Sequence, residues 1–192
     1  LGDNLFYGNQ LVNYMRVADN DFDNSTIFTY PVKDPENYGV IQFDKEGNPS
    51  KIIEKPNYPI SRFAITGLYF YDQTAINKTK TIKPSKRGEL EISCLNQLYL
   101  NEKRLKIVKM GRGLSWLDTG SIDSLHEAGS YIRTIEHRQG LKVGCPEEVS
   151  WRLGWINDEQ MEKLSENLLK SGYGNYLKQI LNEKNNVDNY SI

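Results

Sequence analysis

The sequence predicts an α/β body followed by an all-helical appendage. Two observations carry this reading. Up to about Cys145, β-branched and aromatic runs alternate with segments whose apolar residues recur at helical spacing. Beyond Cys145 every patterned segment reads as helix. The expected division is therefore 1–145 for the α/β part and 146–192 for the appendage.

The elements follow in order. Residues 1–4 read as a strand end and turn. Leu11, Tyr14, Met15 and Ala18 predict an amphipathic helix over about 9–20. Ser25 to Val32 is β-branched and aromatic, hence a strand. Val40–Asp44 and Ser50–Glu54 flank Lys45-Glu46-Gly47-Asn48 and read as a hairpin. Phe63 to Tyr71 is the most strand-like run and predicts the sheet centre. A short helix is expected over 74–80. A basic loop over 83–88 precedes a helix over 89–101, with Ile92, Leu95, Leu98 and Tyr99 inward. Leu105–Met110 is a strand. Ser121 is placed to cap a helix reaching Gln139, with Ile122, Leu125, Ala128, Ile132 and Ile135 as its stripe and Gly140 as its stop. In the appendage, helices are expected over 146–153, over 158–170 and from Gly172 to about Asn182, with a loose polar tail from Asn185.

Bulk properties narrow the function. The 192 residues, 38% hydrophobic and 26% charged, suit a soluble globular chain with a real core. The net charge of −1 gives no electrostatic pull toward nucleic acid or an anionic membrane. No apolar run approaches a membrane span and no signal peptide is visible, which favours the cytoplasm. Cys94 and Cys145 fit no metal spacing and read as thiols in a reducing compartment. The chain opens on Leu1-Gly2-Asp3-Asn4, as if part-way along a strand, so a fragment of a longer protein is expected.

Chemistry concentrates at glycine-flanked acids. Asp3 and Asp118 are each expected at a strand end, where two carboxylates can hold one Mg²⁺, a hard cation that keeps several waters. Such a site favours phosphoryl or nucleotidyl transfer; the plainer alternative is that each aspartate caps a helix. Lys83, Lys86 and Arg87 precede the expected helix over 89–101 and either build an anion site at its start or form a solvated basic loop. Glu54 and Lys55 end a hairpin strand, to take sugar hydroxyls and a phosphate or to form a surface ion pair. His126 and His137 share one helix without an evident partner and read as structural or surface. No nucleophilic triad is evident. Gly111-Arg112-Gly113 is only a GxG, so there is no glycine-rich phosphate loop.

The runs LGDN (1–4), DPENYGVIQFD (34–44), IIEKP (52–56), AITGLYFYD (64–72), KPSKRGELEISCLNQLYL (83–100), GRGLSWLDTGSIDSL (111–125), WRLGW (151–155) and GYGNYL (172–177) together resemble the glucose-1-phosphate thymidylyltransferases, over nearly the whole chain and in that family's order. The resemblance implies a Rossmann-like nucleotide-diphospho-sugar transferase fold, here with a truncated mixed sheet. It implies Mg²⁺-dependent synthesis of dTDP-glucose and pyrophosphate from dTTP and glucose 1-phosphate, feeding deoxysugar (dTDP-rhamnose) and surface-polysaccharide synthesis, and a homotetramer. Asp3 and Asp118 match the metal aspartates. Gly39, Glu54, Lys55, Ile65, Tyr69, Arg87 and Trp116 match the sugar-phosphate pocket, with Ile65 where valine is common. Lys55 and Arg87 would hold the sugar's phosphate for in-line attack. Gly8, Arg112, Glu148 and Arg152 match a second, regulatory nucleotide site. The family begins roughly a hundred residues earlier, where its phosphate loop and most base contacts lie. The chain alone is therefore expected to be inactive, and its sheet to carry an open edge that favours self-association. A CTP- or UTP-using transferase and a non-catalytic sugar-phosphate-binding module remain as alternatives.

Overall fold

The computed structural model describes residues 2–85 and 87–183; the readings for Leu1, Lys86 and the tail from Asn185 lie outside them. The chain divides into two compact units, residues 1–125 and 126–192, with the division inside one helix.

The first unit is an α/β body. Its main sheet has the order β4-β3-β5-β2-β6, formed by β2 (Ser25–Pro31), β3 (Gly39–Phe43), β4 (Pro49–Glu54), β5 (Phe63–Phe70) and β6 (Leu105–Lys109). β2 and β6 run parallel, and the other pairs are antiparallel, so the sheet is mixed. The Phe63–Phe70 run does form the central strand, as its β-branched and aromatic content predicts.

Side-chain alternation along the strands builds two cores. On one face Phe28, Ala64 and Val108 meet Ala18, Leu11 and Tyr14 from α1 (Leu11–Asp19), together with Met110, Leu114 and Trp116. On the other face Ile27, Ile65, Ile107, Ile41 and Ile52 pack with Leu100 from α3 (Ile92–Asn101). Phe28, Ile27 and Ile41 are completely buried, each worth roughly 1.5–3 kcal/mol against exposure. The outer edge of β4 is partly closed by Gln97 of α3, whose Oε1 accepts from the Ile52 amide at 2.9 Å. A short helix α2 (Ala75–Thr79) follows β5.

Three local readings are corrected. Asp3 does not end a strand; Gly2-Asp3 turns, and β1 (Asn4–Tyr7) follows, pairing antiparallel with β7 (Ser115–Asp118) in a separate two-stranded sheet. The helix expected from Glu89 starts at Ile92. Gly88 at φ +79 and the Ser85 amide bonded to the Glu89 carbonyl at 2.8 Å close the preceding loop on itself, which draws residues 89–91 out of the helix. Ile92 is consequently exposed, while Leu95 and Tyr99 are buried as predicted. Finally, α4 (Ile122–Gln139) begins at Ser121, whose Oγ accepts the Ser124 amide at 3.1 Å, but Ile122 and Leu125 face solvent because nothing among the described residues covers that first turn.

Beyond Val40 opposite Ala64, β5 has no registered partner on its β3 side among the described residues.

The second unit continues α4 and adds α5 (Pro146–Arg152), α6 (Asp158–Asn167) and α7 (Tyr173–Asn182) around Cys145, Met161, Tyr176, Leu177 and Ile180. Asn157 and Gln160 form a reciprocal capping box at the start of α6. Gly174 lets α7 approach the end of α6, since a methyl there would lie 2.7 Å from the Leu169 nitrogen. Along α6 Met161 is fully buried, whereas Leu164 is 38% exposed.

Candidate active site

A cavity of about 280 Å³ opens in the first unit where the two sheets and α3 meet. One wall comes from the small sheet. Asn4 lies opposite Asp118, so Asp3 stands just before β1, Asp118 ends β7, and both line the cavity. Thr119 fixes this corner by donating its amide (2.7 Å) and its hydroxyl (3.0 Å) to the Asp3 carbonyl. The Gly120 amide donates to Asp118 Oδ1 at 3.2 Å.

Asn4 links the aspartate to the aromatic wall. Its Nδ2 donates to Asp3 Oδ1 at 3.0 Å, and its Oδ1 accepts from Trp116 Nε1 at 2.8 Å. Gly67 on β5 makes room for it, because a methyl there would lie 2.7 Å from Asn4 Cγ. Trp116 is held edge-on to Tyr38 and Tyr30, with ring centroids 5.2 and 6.1 Å away.

The opposite wall is the end of the β3–β4 hairpin. Gly39 pairs with Glu54, and a methyl on Gly39 would lie 2.9 Å from Glu54 Oε2, so glycine leaves the carboxylate its place. Lys55 follows at φ +41, an uncommon conformation for a side-chain-bearing residue, and its amide donates to the Tyr38 carbonyl at 3.0 Å. Ile65, Gly67 and Tyr69 line the floor at every second position of β5, and Ile92, Ser93 and Asn96 of α3 complete it. Burial, and after it the Glu54 charge, pushes the Tyr69 phenol up to about 12. Burial and then the charges of Asp34 and Asp118 raise Tyr38.

Eight residues singled out from sequence thus share one cavity: Asp3, Gly39, Glu54, Lys55, Ile65, Tyr69, Trp116 and Asp118. Arg87 is not among them. It pairs with Glu89 at 3.2 Å and Glu91 at 3.4 Å, and Glu91, not a basic residue, stands at the start of α3. Lys83 is likewise absent from the lining. Of the four residues matched to a regulatory site, Gly8 packs in the first unit against the Gly113–Leu114 turn beside exposed Arg112. In the second unit Glu148 accepts from Arg152 Nε at 2.8 Å and from the Tyr176 hydroxyl. Sequence reasoning missed Asn4, Tyr38, Gly67 and Asn96. Asn4 stood inside the LGDN run, but nothing in that run announces a bond to a tryptophan 112 positions away. His126 and His137 are exposed, in keeping with their plain reading.

Residues 1–134 match the nucleotidyl transferase family, and the chain belongs to that family. More narrowly, it is 51% identical over 177 residues to the glucose-1-phosphate thymidylyltransferase of Xanthomonas campestris, covering 92% of this chain and 60% of that protein. It is 48% identical over 184 residues to the enzyme so named from Mycolicibacterium smegmatis, covering 96% and 64%. Against the one from Neisseria meningitidis the figures are 46% over 181 residues, 94% and 63%. The chain therefore spans less than two thirds of the length of these relatives. Among solved structures, a provisionally named glucose-1-phosphate thymidylyltransferase of Bacillus anthracis, crystallised with sucrose, superposes with a TM-score of 0.61 at 35% identity, covering 69% of this chain and 52% of that one. A UDP-glucose pyrophosphorylase complexed with UDP-glucose, at 24% identity and TM-score 0.57 over 70% and 55%, shares the fold. The Rossmann-like α/β fold and the resemblance read from the motifs are both borne out.

Proposed function

We propose that the whole protein is a glucose-1-phosphate thymidylyltransferase, joining dTTP and glucose 1-phosphate into dTDP-glucose and pyrophosphate. The observation that carries this is the meeting of eight sequence-selected residues at one cavity. In the reaction a phosphate oxygen of glucose 1-phosphate attacks the α-phosphorus of dTTP. The new O–P bond forms in line as the α–β anhydride breaks and pyrophosphate leaves. No group on the protein is covalently modified, so catalysis is positioning and charge neutralisation.

Each residue then has a role. Glu54, seated over Gly39, accepts hydroxyls of the sugar. Lys55, at the turn out of β4, neutralises the sugar's phosphate. Arg87 joins it by exchanging its pairs with exposed Glu89 and buried Glu91 for the phosphate. Tyr69 stays protonated at neutral pH, and Trp116 walls off water. Ile65 and Gly39 shape the sugar's bed.

The donor set suits Mg²⁺. Among the described residues no cluster of three or more metal-binding side chains exists, and a pair of hard carboxylates such as Asp3 and Asp118 is the usual protein share of a Mg²⁺ shell, with water and phosphate completing it. When bound, Mg²⁺ offsets the charge of the triphosphate.

The product would feed deoxysugar and surface-polysaccharide synthesis, which places the protein in the cytoplasm with its nucleotide. No helix among the described residues is long and apolar enough to cross a membrane. The unpaired stretch of β5 and the exposed Ile122 and Leu125 support assembly into a homo-oligomer, a tetramer by the family resemblance. By the family resemblance, Gly8, Arg112, Glu148 and Arg152 are proposed as residues that bind a regulatory nucleotide. The test is turnover by the whole protein with dTTP, UTP and CTP in turn. Preference for dTTP and loss of product in Asp118→Asn support the assignment; equal use of the three nucleotides overturns it.

A further inference from the structure

Asn96 is wholly buried, lines the cavity floor, and has a side-chain amide nitrogen with no hydrogen-bond partner among the described residues. Its other end is occupied, since Asn96 Oδ1 accepts the Tyr71 hydroxyl at 2.5 Å. Tyr71 is itself fixed, stacked between Tyr69 and Tyr99 at 5.7 and 5.6 Å, and burial raises its phenol so that it remains a donor at neutral pH. The amide is therefore held in one orientation, its oxygen committed to Tyr71 and its N–H₂ left over.

A buried donor without an acceptor carries a desolvation penalty of roughly 1–3 kcal/mol, and native structures rarely retain one without a use. The flanking groups make this unpaired donor specific. Glu54, on the opposite wall, offers an acceptor, and Tyr69 on the floor offers a phenol. A polyol has hydroxyls that donate to one side and accept on another. It suits a cavity with a carboxylate on one wall and an unspent amide donor on the floor.

We propose that Asn96 is a specificity-determining residue that donates to a hydroxyl oxygen of the bound sugar. This rests on the sugar-phosphate reading of the cavity and adds a contact from α3 to those from the β3–β4 hairpin. Tyr71 acts only through Asn96, as its positioning residue. The arrangement selects for a hydroxyl at that position, because a deoxy analogue leaves the amide unpaired again.

The test is NMR of the side-chain amide of Asn96, assigned by its disappearance in Asn96→Asp, during titration of the 192-residue chain with glucose 1-phosphate. The backbone amides of Gly39 and Lys55 report binding independently. The proposal expects the Asn96 N–H₂ pair to shift together with them. It further expects one of the 2-, 3-, 4- and 6-deoxy sugar phosphates to bind about tenfold more weakly than glucose 1-phosphate, a loss that Asn96→Leu in a Tyr71→Phe background abolishes. That double variant replaces both bonded groups by apolar ones, so neither is stranded. If Gly39 and Lys55 shift while Asn96 stays still, the contact is refuted, a resident water satisfies the amide, and the sugar-phosphate reading stands. If none of the three moves, the sugar-phosphate reading falls and this contact falls with it. If all four deoxy analogues lose equally in both proteins, the amide touches no sugar hydroxyl.

Discussion

Trp116 donates its indole N–H to Asn4 Oδ1 at 2.8 Å, joining the two strands of the small sheet through their side chains as well as their backbones. The same asparagine donates to Asp3 Oδ1. One amide thus sets the orientation of a cavity-wall ring and of a carboxylate proposed to hold metal.

This linkage predicts that Gly67→Ala harms the site without touching a ligand. The added methyl displaces Asn4 and releases both Asp3 and Trp116. Overpacking of this kind costs roughly 1–3 kcal/mol. The expected outcome is a lowered denaturation midpoint, a red shift of Trp116 emission, and weaker Mg²⁺-dependent ligand binding. Unchanged emission with normal binding would show that Asn4 does not organise the corner.

Asn4→Ala removes the same bonds from the other side. A buried indole N–H loses its acceptor, for about 1–3 kcal/mol of stability. Double-mutant cycles with Trp116→Phe should recover most of that loss, because the donor left unpaired is then gone. Simple additivity of the two changes would contradict the coupling.

Asp72 makes stability depend on acid. Burial alone would raise its carboxyl, but bonds from Thr74, Tyr99 and Arg104 outweigh it and hold the group at about 2, below its ordinary 3.8. A depressed carboxylate stabilises the fold above its ordinary value, and the benefit disappears as pH falls through the folded one. Unfolding midpoints should therefore drop from about pH 3.8 to about pH 2. Asp72→Asn should be less stable at neutral pH and show a flatter profile across that window. An equally steep profile in the variant would assign the acid sensitivity elsewhere.

Two glycines of the second unit should respond in opposite directions. Gly174→Ala forces a methyl to 2.8 Å from the Leu168 carbonyl carbon and should destabilise by roughly 1–3 kcal/mol or more. Gly129, inside α4 with nothing within 4 Å of an added methyl, should gain about 0.5–1 kcal/mol as alanine through helix propensity. Chemical denaturation of both variants checks the pair.

Much of this fold was legible because its signals are local. The run FAITGLYFY marked the central strand, and Ser121 marked the start of α4. The cavity was legible for a different reason: Asp3, Glu54-Lys55 and Trp116-Leu117-Asp118 sit in short runs whose combination is diagnostic even though each alone is weak. What failed to show was the pairing of side chains, near or far along the chain. Arg87 looked free beside an expected helix start, but its charge is spent on Glu89 and Glu91, and that depends on a loop closing through Gly88. Asn4 and Asn96 are small polar residues whose importance comes from Trp116, Gly67 and Tyr71, partners that only the fold brings near. Ile122 and Leu125 kept helical spacing, yet spacing cannot say what will cover a stripe.

The central claim is that this cavity holds a sugar phosphate between the hairpin end and a pair of metal-binding aspartates. Titration calorimetry of the 192-residue chain with glucose 1-phosphate, with and without Mg²⁺, tests it most directly. The account predicts saturable binding that Mg²⁺ strengthens, that Glu54→Gln weakens about tenfold, and that Asp118→Asn makes indifferent to Mg²⁺. No heat of binding under either condition, or binding that neither substitution alters, would contradict it.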